Sequence, residues 1–200
     1  MAGVRQFDEG EMLAGALEVF WRKGMRATTM ADLAEATGVQ RGSLYNAYGG
    51  KEDIFLLAFD GYVARFLASA AEALAAPDPR DGLKALFAFT IASMTNGTPA
   101  RGCLSTKTAT EAALDDPRVR DRLRGMLDAL HRIIAAALSA APDRLAVTPG
   151  DHPCRVTPDQ AADLVVTFTR GLAVMERVYQ DSAHLQRIAD ALVGTLFRAP

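Results

Sequence analysis

The sequence is poor in the residues that carry chemistry on their own. Its 200 residues include two cysteines, three histidines and one tryptophan. Two cysteines, Cys103 and Cys154, do not make a disulfide framework. His131, His152 and His184 lie far apart along the chain, and only His152-Pro153-Cys154 sets two metal-binding side chains together, with Cys103 as a possible third ligand. A histidine and a cysteine in one loop are more often incidental, so no metal is expected. A phosphate loop, a nucleophile elbow and a paired metal motif are all missing, so no catalytic residue and no cofactor are expected. Long apolar runs are also lacking: none reaches the ~18 residues of a membrane span. Asp8, Glu9 and Glu11 stand where an export signal needs an apolar segment. The chain reads as cytoplasmic, with no membrane partner.

Excess positive charge is missing too. The formal net charge is -2, and residues 1–60 carry six cations against nine anions. Overall charge therefore gives no sign of nucleic acid, and it excludes strong non-specific binding to it. What remains open is a binder that makes a few phosphate contacts from a local patch. Arg22, Lys23, Arg26, Arg41 and Lys51 are placed for that, at helix ends or on a short helix.

What the chain does have is helical periodicity. Half of its residues are hydrophobic and 23% are charged, enough apolar material for a sizeable core. Leu13, Ala16, Leu17 and Phe20 recur at i, i+3, i+4 and i+7, which predicts a helix from about Asp8 to Lys23. Gly24 ends it. Trp21 is expected to be a packing aromatic. A long helix over about 51–75 carries Phe55, Phe59, Tyr62 and Phe66 along one side, and Pro77-Asp78-Pro79 closes it. Leu83, Leu86, Phe87, Thr90, Ile91 and Met94 form the next stripe, up to a turn at Asn96–Pro99. A short helix from about Gly102 to Leu114 follows. After Asp115-Asp116-Pro117 another helix carries Leu123, Met126, Leu127, Leu130, Ile134 and Leu138, with Arg118, Arg120, Arg122 and Arg124 as a solvated face. Residues 142–157 read as a loop. Thr157-Pro158-Asp159-Gln160 then starts a helix with a cap, a proline in its first turn and a glutamine to complete a capping box. Between Ala161 and Met175 only Asp163 and Arg170 are charged, as in a helix buried on most sides. A final helix spans about Ser182 to Phe197. The fold class is all-α.

The most specific stretch is Thr28–Phe55. Thr29 can cap a helix, with Asp32 at its third position. Gly38 can stop that helix after two turns. A second short helix keeps Leu44 and Tyr48 at i, i+4 for the core and leaves Arg41, Ser43, Tyr45, Asn46 and Ala47 facing outward. Gly49-Gly50 breaks the chain, and Lys51 opens the long helix. Two short helices joined through a glycine, the second small-sided and polar outside, is the helix-turn-helix plan for a DNA major groove.

This order of residues resembles the DNA-binding end of the tetracycline-repressor (TetR) family. The likeness rests on Thr-Thr-Met-x-x-Leu-Ala from Thr28, on Gly-Val-x-Arg-Gly-Ser-Leu-Tyr-Asn from Gly38, on Tyr48 and on Lys51-Glu52. Upstream, Ala16–Gly24 looks like the end of the family's first helix. The likeness is specific over residues 8–60; beyond them the chain fits by length and helical content. It implies a three-helix DNA-binding domain at 1–50 and a helical effector-binding and dimerisation domain at 51–200. On the family's pattern Arg41, Gly42, Ser43 and Asn46 face the bases, while Thr29, Tyr45 and Lys51 hold phosphates. Two positions depart from it: Gln40 replaces a serine-like cap, and Ala47 stands where many members have a histidine.

The implied function is a homodimeric regulator, a repressor released from an inverted-repeat site on double-stranded DNA by a small-molecule effector. Candidate pocket residues are Phe87, Met94, Cys103, Lys107, Leu127 and Phe168. Candidate dimer residues are Leu164, Phe168, Leu172, Leu185, Ile188, Leu192 and Leu196, from two adjacent apolar helices that can pair with their copies as four. A second reading keeps the DNA output and makes Cys103 a sensor of electrophiles or oxidants, because a helix start and Lys107 one turn on both favour a thiolate. A reading of another class is a helical enzyme or ligand carrier, which would have no use for the Thr28–Lys51 constellation.

Overall fold

The computed structural model describes residues 7–97, 100–111, 115–146 and 156–197. Among them are nine α-helices and one short 3-10 turn: α1 Glu9–Lys23, α2 Met30–Thr37, α3 Arg41–Tyr48, α4 Lys51–Leu74, α5 Pro79–Thr95, α6 Leu104–Thr110, α7 Pro117–Ser139, the turn Pro142–Arg144, α8 Pro158–Tyr179 and α9 Ser182–Leu196. No strand occurs among the described residues beyond an isolated pairing of Leu145 with Phe197. His152-Pro153-Cys154 and the end of the short helix expected near Leu114 lie outside the described residues. No three histidine, cysteine or acidic side chains come together as a metal site among those described.

Helix ends fall where local chemistry puts them. Thr29 accepts the Asp32 N–H while Asp32 accepts the Thr29 N–H at 2.9 Å, a closed capping box. Thr157 and Gln160 repeat the arrangement at α8, with Pro158 in its first turn. Gly38 ends α2 at φ +67°, left-handed backbone that a side chain would strain.

The chain forms two compact units. The first gathers the described residues up to Ala64 with 104–124, so the start of α4, α6 and the start of α7 join α1–α3. The second comprises 65–103 with the described residues from Gly125 onward. The 50/51 boundary expected from the helix-turn-helix follows that motif alone; packing also draws these later helices to it.

The core of the first unit is aromatic. Phe20 meets Phe55 edge-on at 5.1 Å, Phe55 stacks on Phe59 at 5.3 Å, and Trp21 meets Tyr62 at 5.2 Å. All five are buried. By length and composition α4 is apolar enough to cross a membrane. Instead it buries Ile54, Phe55, Ala58, Phe59, Tyr62, Phe66, Ala70 and Leu74 in the protein, as the core helix of a folded domain does. The α7 arginines are not merely solvated. Arg118 bridges Asp53 on α4 at 2.7 Å, and Arg122 bridges Asp60 at 3.1 Å.

In the second unit α5 packs against α8 and α9. Its buried face carries Leu83, Leu86, Phe87, Ile91 and Met94. The buried stripe of α8 is Val165, Thr169, Leu172 and Glu176. A carboxyl group in that row is unusual. Burial pushes Glu176 up from the ordinary carboxylate range, and the Arg177 guanidinium beside it pulls the other way with less effect.

Candidate nucleic-acid interface

Helix α3 has one face in the core and one in solvent. Leu44 and Tyr48 are buried, and the Tyr48 hydroxyl donates to Glu9 on α1 at 3.2 Å. That anchors α3 to the first helix. Arg41, Gly42, Tyr45 and Asn46 are exposed, while Ser43 and Ala47 are half-buried. The i, i+4 spacing of the two buried residues dictates this division, because everything on the other side of an eight-residue helix must face water. Gln40 makes no side-chain cap, so the first amides of α3 keep their donors beside Arg41. A cation next to free helix-start amides suits an anionic backbone.

Thr29 is exposed, but its hydroxyl also donates to Asp32 at 2.9 Å within the capping box. Lys23 bonds Asp32 at 2.6 Å. That bond, together with the Thr29 N–H and hydroxyl, holds the Asp32 carboxyl down at about 2.

Lys51 sits differently from a surface phosphate clamp. Its ammonium donates to three backbone carbonyls in the turn between α1 and α2: Met25 at 3.1 Å, Arg26 at 3.0 Å and Thr28 at 2.8 Å. An ammonium has three donors. Those bonds take all of them, so the structure gives Lys51 a role in holding the turn.

Of the pocket candidates, Phe87 and Phe168 are brought together edge-on at 5.7 Å, and Met94 is buried on α5. Leu127 is half-buried on α7. Cys103 is half-buried just before α6, and Arg170 of α8 points a guanidinium nitrogen at its Sγ at 3.8 Å. Sequence spacing had suggested Lys107 as the cation for Cys103. Its ammonium goes to the Trp21 and Arg22 carbonyls of α1 instead, at 3.0 and 2.8 Å. Arg170, 67 residues away from Cys103 in the chain, gave no local signal.

The dimer candidates divide in the same way. Leu172, Leu185 and Leu196 are 1%, 0% and 2% exposed, so they belong to the chain's own core and correct the expectation that they face a partner. Ile188 and Leu192 are half-buried, and Phe168 likewise. Leu164 is exposed, in company with Val174, Met175, Val178 and Tyr179, which spacing had not singled out.

Comparison with known proteins bears on both units. Residues 12–58 match the model of bacterial regulatory proteins of the tetR family, and residues 79–192 match that of a tetracyclin repressor-like C-terminal domain. The transcriptional repressor ComR of Escherichia coli (strain K12) is 27% identical over 194 residues, 96% of this chain and 88% of ComR. An uncharacterized HTH-type regulator, YezE of Bacillus subtilis (strain 168), is 31% identical over 116 residues. That match takes in 58% of this chain and 60% of the relative's length. Among solved structures, a cysteine mutant of the TetR family regulator CifR, complexed with 26-base-pair double-strand operator DNA, superposes with a TM-score of 0.80. It is 26% identical, over 96% of this chain and 98% of CifR. The reduced form of E. coli NemR shares the fold at a TM-score of 0.79 and 18% identity, over 96% of this chain and 97% of NemR.

Proposed function

Because this chain belongs to the tetR family of bacterial regulatory proteins, DNA-binding regulators of transcription, we propose that it works as a cytoplasmic homodimeric repressor without enzymatic activity, released from an inverted-repeat operator by a small-molecule effector. The observation that supports its DNA contacts best is the two-sided α3, whose Arg41, Gly42, Tyr45 and Asn46 are exposed over a buried Leu44 and Tyr48. In this reading Arg41, Gly42, Ser43 and Asn46 face base edges in the major groove, and Thr29 and Tyr45 lie along the phosphates. Lys51 acts indirectly, by holding the turn that leads into α2. Arg41 is the long donor on the helix and suits guanine O6 and N7. Arg41→Ala is expected to cost about 1–3 kcal/mol of discrimination at one base pair of each half-site. Competition with single-base variants of the site measures it. An unchanged base preference would remove Arg41 from readout.

The effector acts in the second unit, where Phe87, Met94, Leu127 and Phe168 supply an apolar lining suited to an apolar molecule. Its binding shifts α4 and moves the two recognition helices away from one DNA turn, about 34–36 Å. The partner copy packs on the exposed stripe of α8, continued by Ile188 and Leu192 of α9.

One observation favours a second route of release. With the Arg170 guanidinium beside its sulfur, Cys103 as a thiolate adds to the β-carbon of an α,β-unsaturated carbonyl: the S–C bond forms as the C=C π bond breaks, and the α-carbon takes a proton from water. Alkylation of Cys103 is then expected to outpace that of Cys154, to slow in Arg170→Ala, and to release DNA. A Cys103→Ser protein that still releases DNA on electrophile treatment would leave the reversible effector alone.

A further inference from the structure

The turn between α1 and α2 is held from outside the helix-turn-helix. A helix leaves its last carbonyls without partners inside the helix. At the end of α1 the Phe20 carbonyl takes the Gly24 N–H at 2.8 Å. The Trp21 and Arg22 carbonyls take the Lys107 ammonium, and the Gly24 carbonyl takes the Thr28 hydroxyl at 2.6 Å. The carbonyls of Met25, Arg26 and Thr28 take Lys51. Lys107 comes from α6, more than eighty residues along the chain, and its charge lies at the negative end of the α1 dipole.

Glu111, just past α6, closes on the same turn from the other sign of charge. Its Oε2 accepts the Arg26 N–H at 3.4 Å. Its carboxylate also fills the space beside Gly24: a Cβ there would stand 1.9 Å from Oε1. Gly24 has φ +80°, backbone that favours glycine, and a side chain there would push the Glu111 carboxylate aside. The next residues after the turn are Thr29, which caps α2, and α2 itself. The turn from which α2 and α3 leave α1 is therefore bonded by side chains of the α6 segment.

We propose that Lys107 and Glu111 are positioning residues for DNA binding, fixing the entry of α2 and α3 through the α1–α2 turn without touching DNA. This rests on the DNA-binding reading above and adds to it a control point outside the DNA-binding helices. The chain passes from the second unit to the first between Cys103 and Leu104, one turn of α6 before Lys107.

The test uses the full chain and the duplex that the unaltered protein enriches from a random pool. Lys107→Met is expected to weaken binding by about tenfold or more, as the loss of two charge-assisted bonds implies. Its salt dependence should keep the unaltered slope, because no phosphate contact is lost. Lys107→Arg should restore most of the affinity. Amide exchange over Gly24–Asp32 should quicken in Lys107→Met while α9 stays as protected as before. Affinity within about twofold of the unaltered protein, or a slope flattened by about one ion, would overturn the proposal. So would weakened binding with unaltered exchange in the turn. Should Lys107→Met fail to fold, Glu111→Met removes both acceptor oxygens of the second anchor at nearly the same length. It is expected to show the same pair of changes, and unchanged affinity and exchange would overturn the idea. A pool that yields no duplex contradicts the DNA-binding reading itself, and the exchange comparison then decides the role of the two side chains alone.

Discussion

Phe55→Ala is expected to destabilise the protein by about 3–5 kcal/mol, the usual cost of emptying a buried aromatic site. Phe55 is fully buried in the first turns of α4, edge-on to Phe20 of α1 and stacked on Phe59. Its ring joins the helix that leads into the turn to the helix that follows α3. Domains of this kind are stable by only about 5–15 kcal/mol, so the substitution removes a large part of the margin. Leu57, two residues on, is 43% exposed. Leu57→Ala should stay within about 0.5 kcal/mol. Urea denaturation followed by circular dichroism measures both. A Phe55→Ala midpoint close to that of Leu57→Ala would contradict the packing described for the first unit.

Val178→Glu is expected to produce monomers and to weaken operator binding by about 10²–10⁴-fold, the advantage that two linked contacts have over one. Val178 is 70% exposed, and Val174, Met175 and Tyr179 lie beside it on the outer side of α8, with Leu164 further toward its start. Contiguous apolar surface of this kind is uncommon on a monomer and marks an interaction site. Gly171, exposed on the same helix, leaves room for a partner backbone to come close. A glutamate at 178 would carry a charge into that contact from both copies at once, since a two-fold interface sets each residue near its own equivalent surface. Light scattering or sedimentation at micromolar concentration gives the state. A Val178→Glu protein that remains dimeric moves the interface elsewhere. One that is monomeric yet binds the operator undiminished contradicts the two-site reading of DNA.

Local signals were legible in the sequence and distant partners were not. Thr29 with Asp32, Thr157 with Gln160, and the glycines after α1, α2 and α3 are chemistry within four residues, and the ends of α1, α2 and α3 and the starts of α2 and α8 fall on them. The division of α3 follows from Leu44 and Tyr48 alone. Helix α8 shows where periodicity stops helping. It is apolar on both sides, so spacing could not separate Leu172, which is core, from Val178, which is surface. Glu176 misleads in the opposite direction, since a charged residue normally marks the wet face and here it sits in the buried row. Lys51 and Lys107 were visible as cations near helix starts. That their ammonium groups turn back onto carbonyls more than twenty and more than eighty residues away is a tertiary fact with no local trace.

Selection from a random pool of duplexes, run side by side on the unaltered protein and on Arg41→Ala, tests most directly the proposal that two copies of α3 read a specific inverted repeat. The unaltered protein is expected to enrich two inverted half-sites centred about one helical turn apart, 10–10.5 base pairs or a multiple of it. Arg41→Ala is expected to enrich the same spacing with one base pair of each half-site relaxed. A pool from which the unaltered protein enriches no sequence, or a single half-site without its inverted copy, would contradict that proposal.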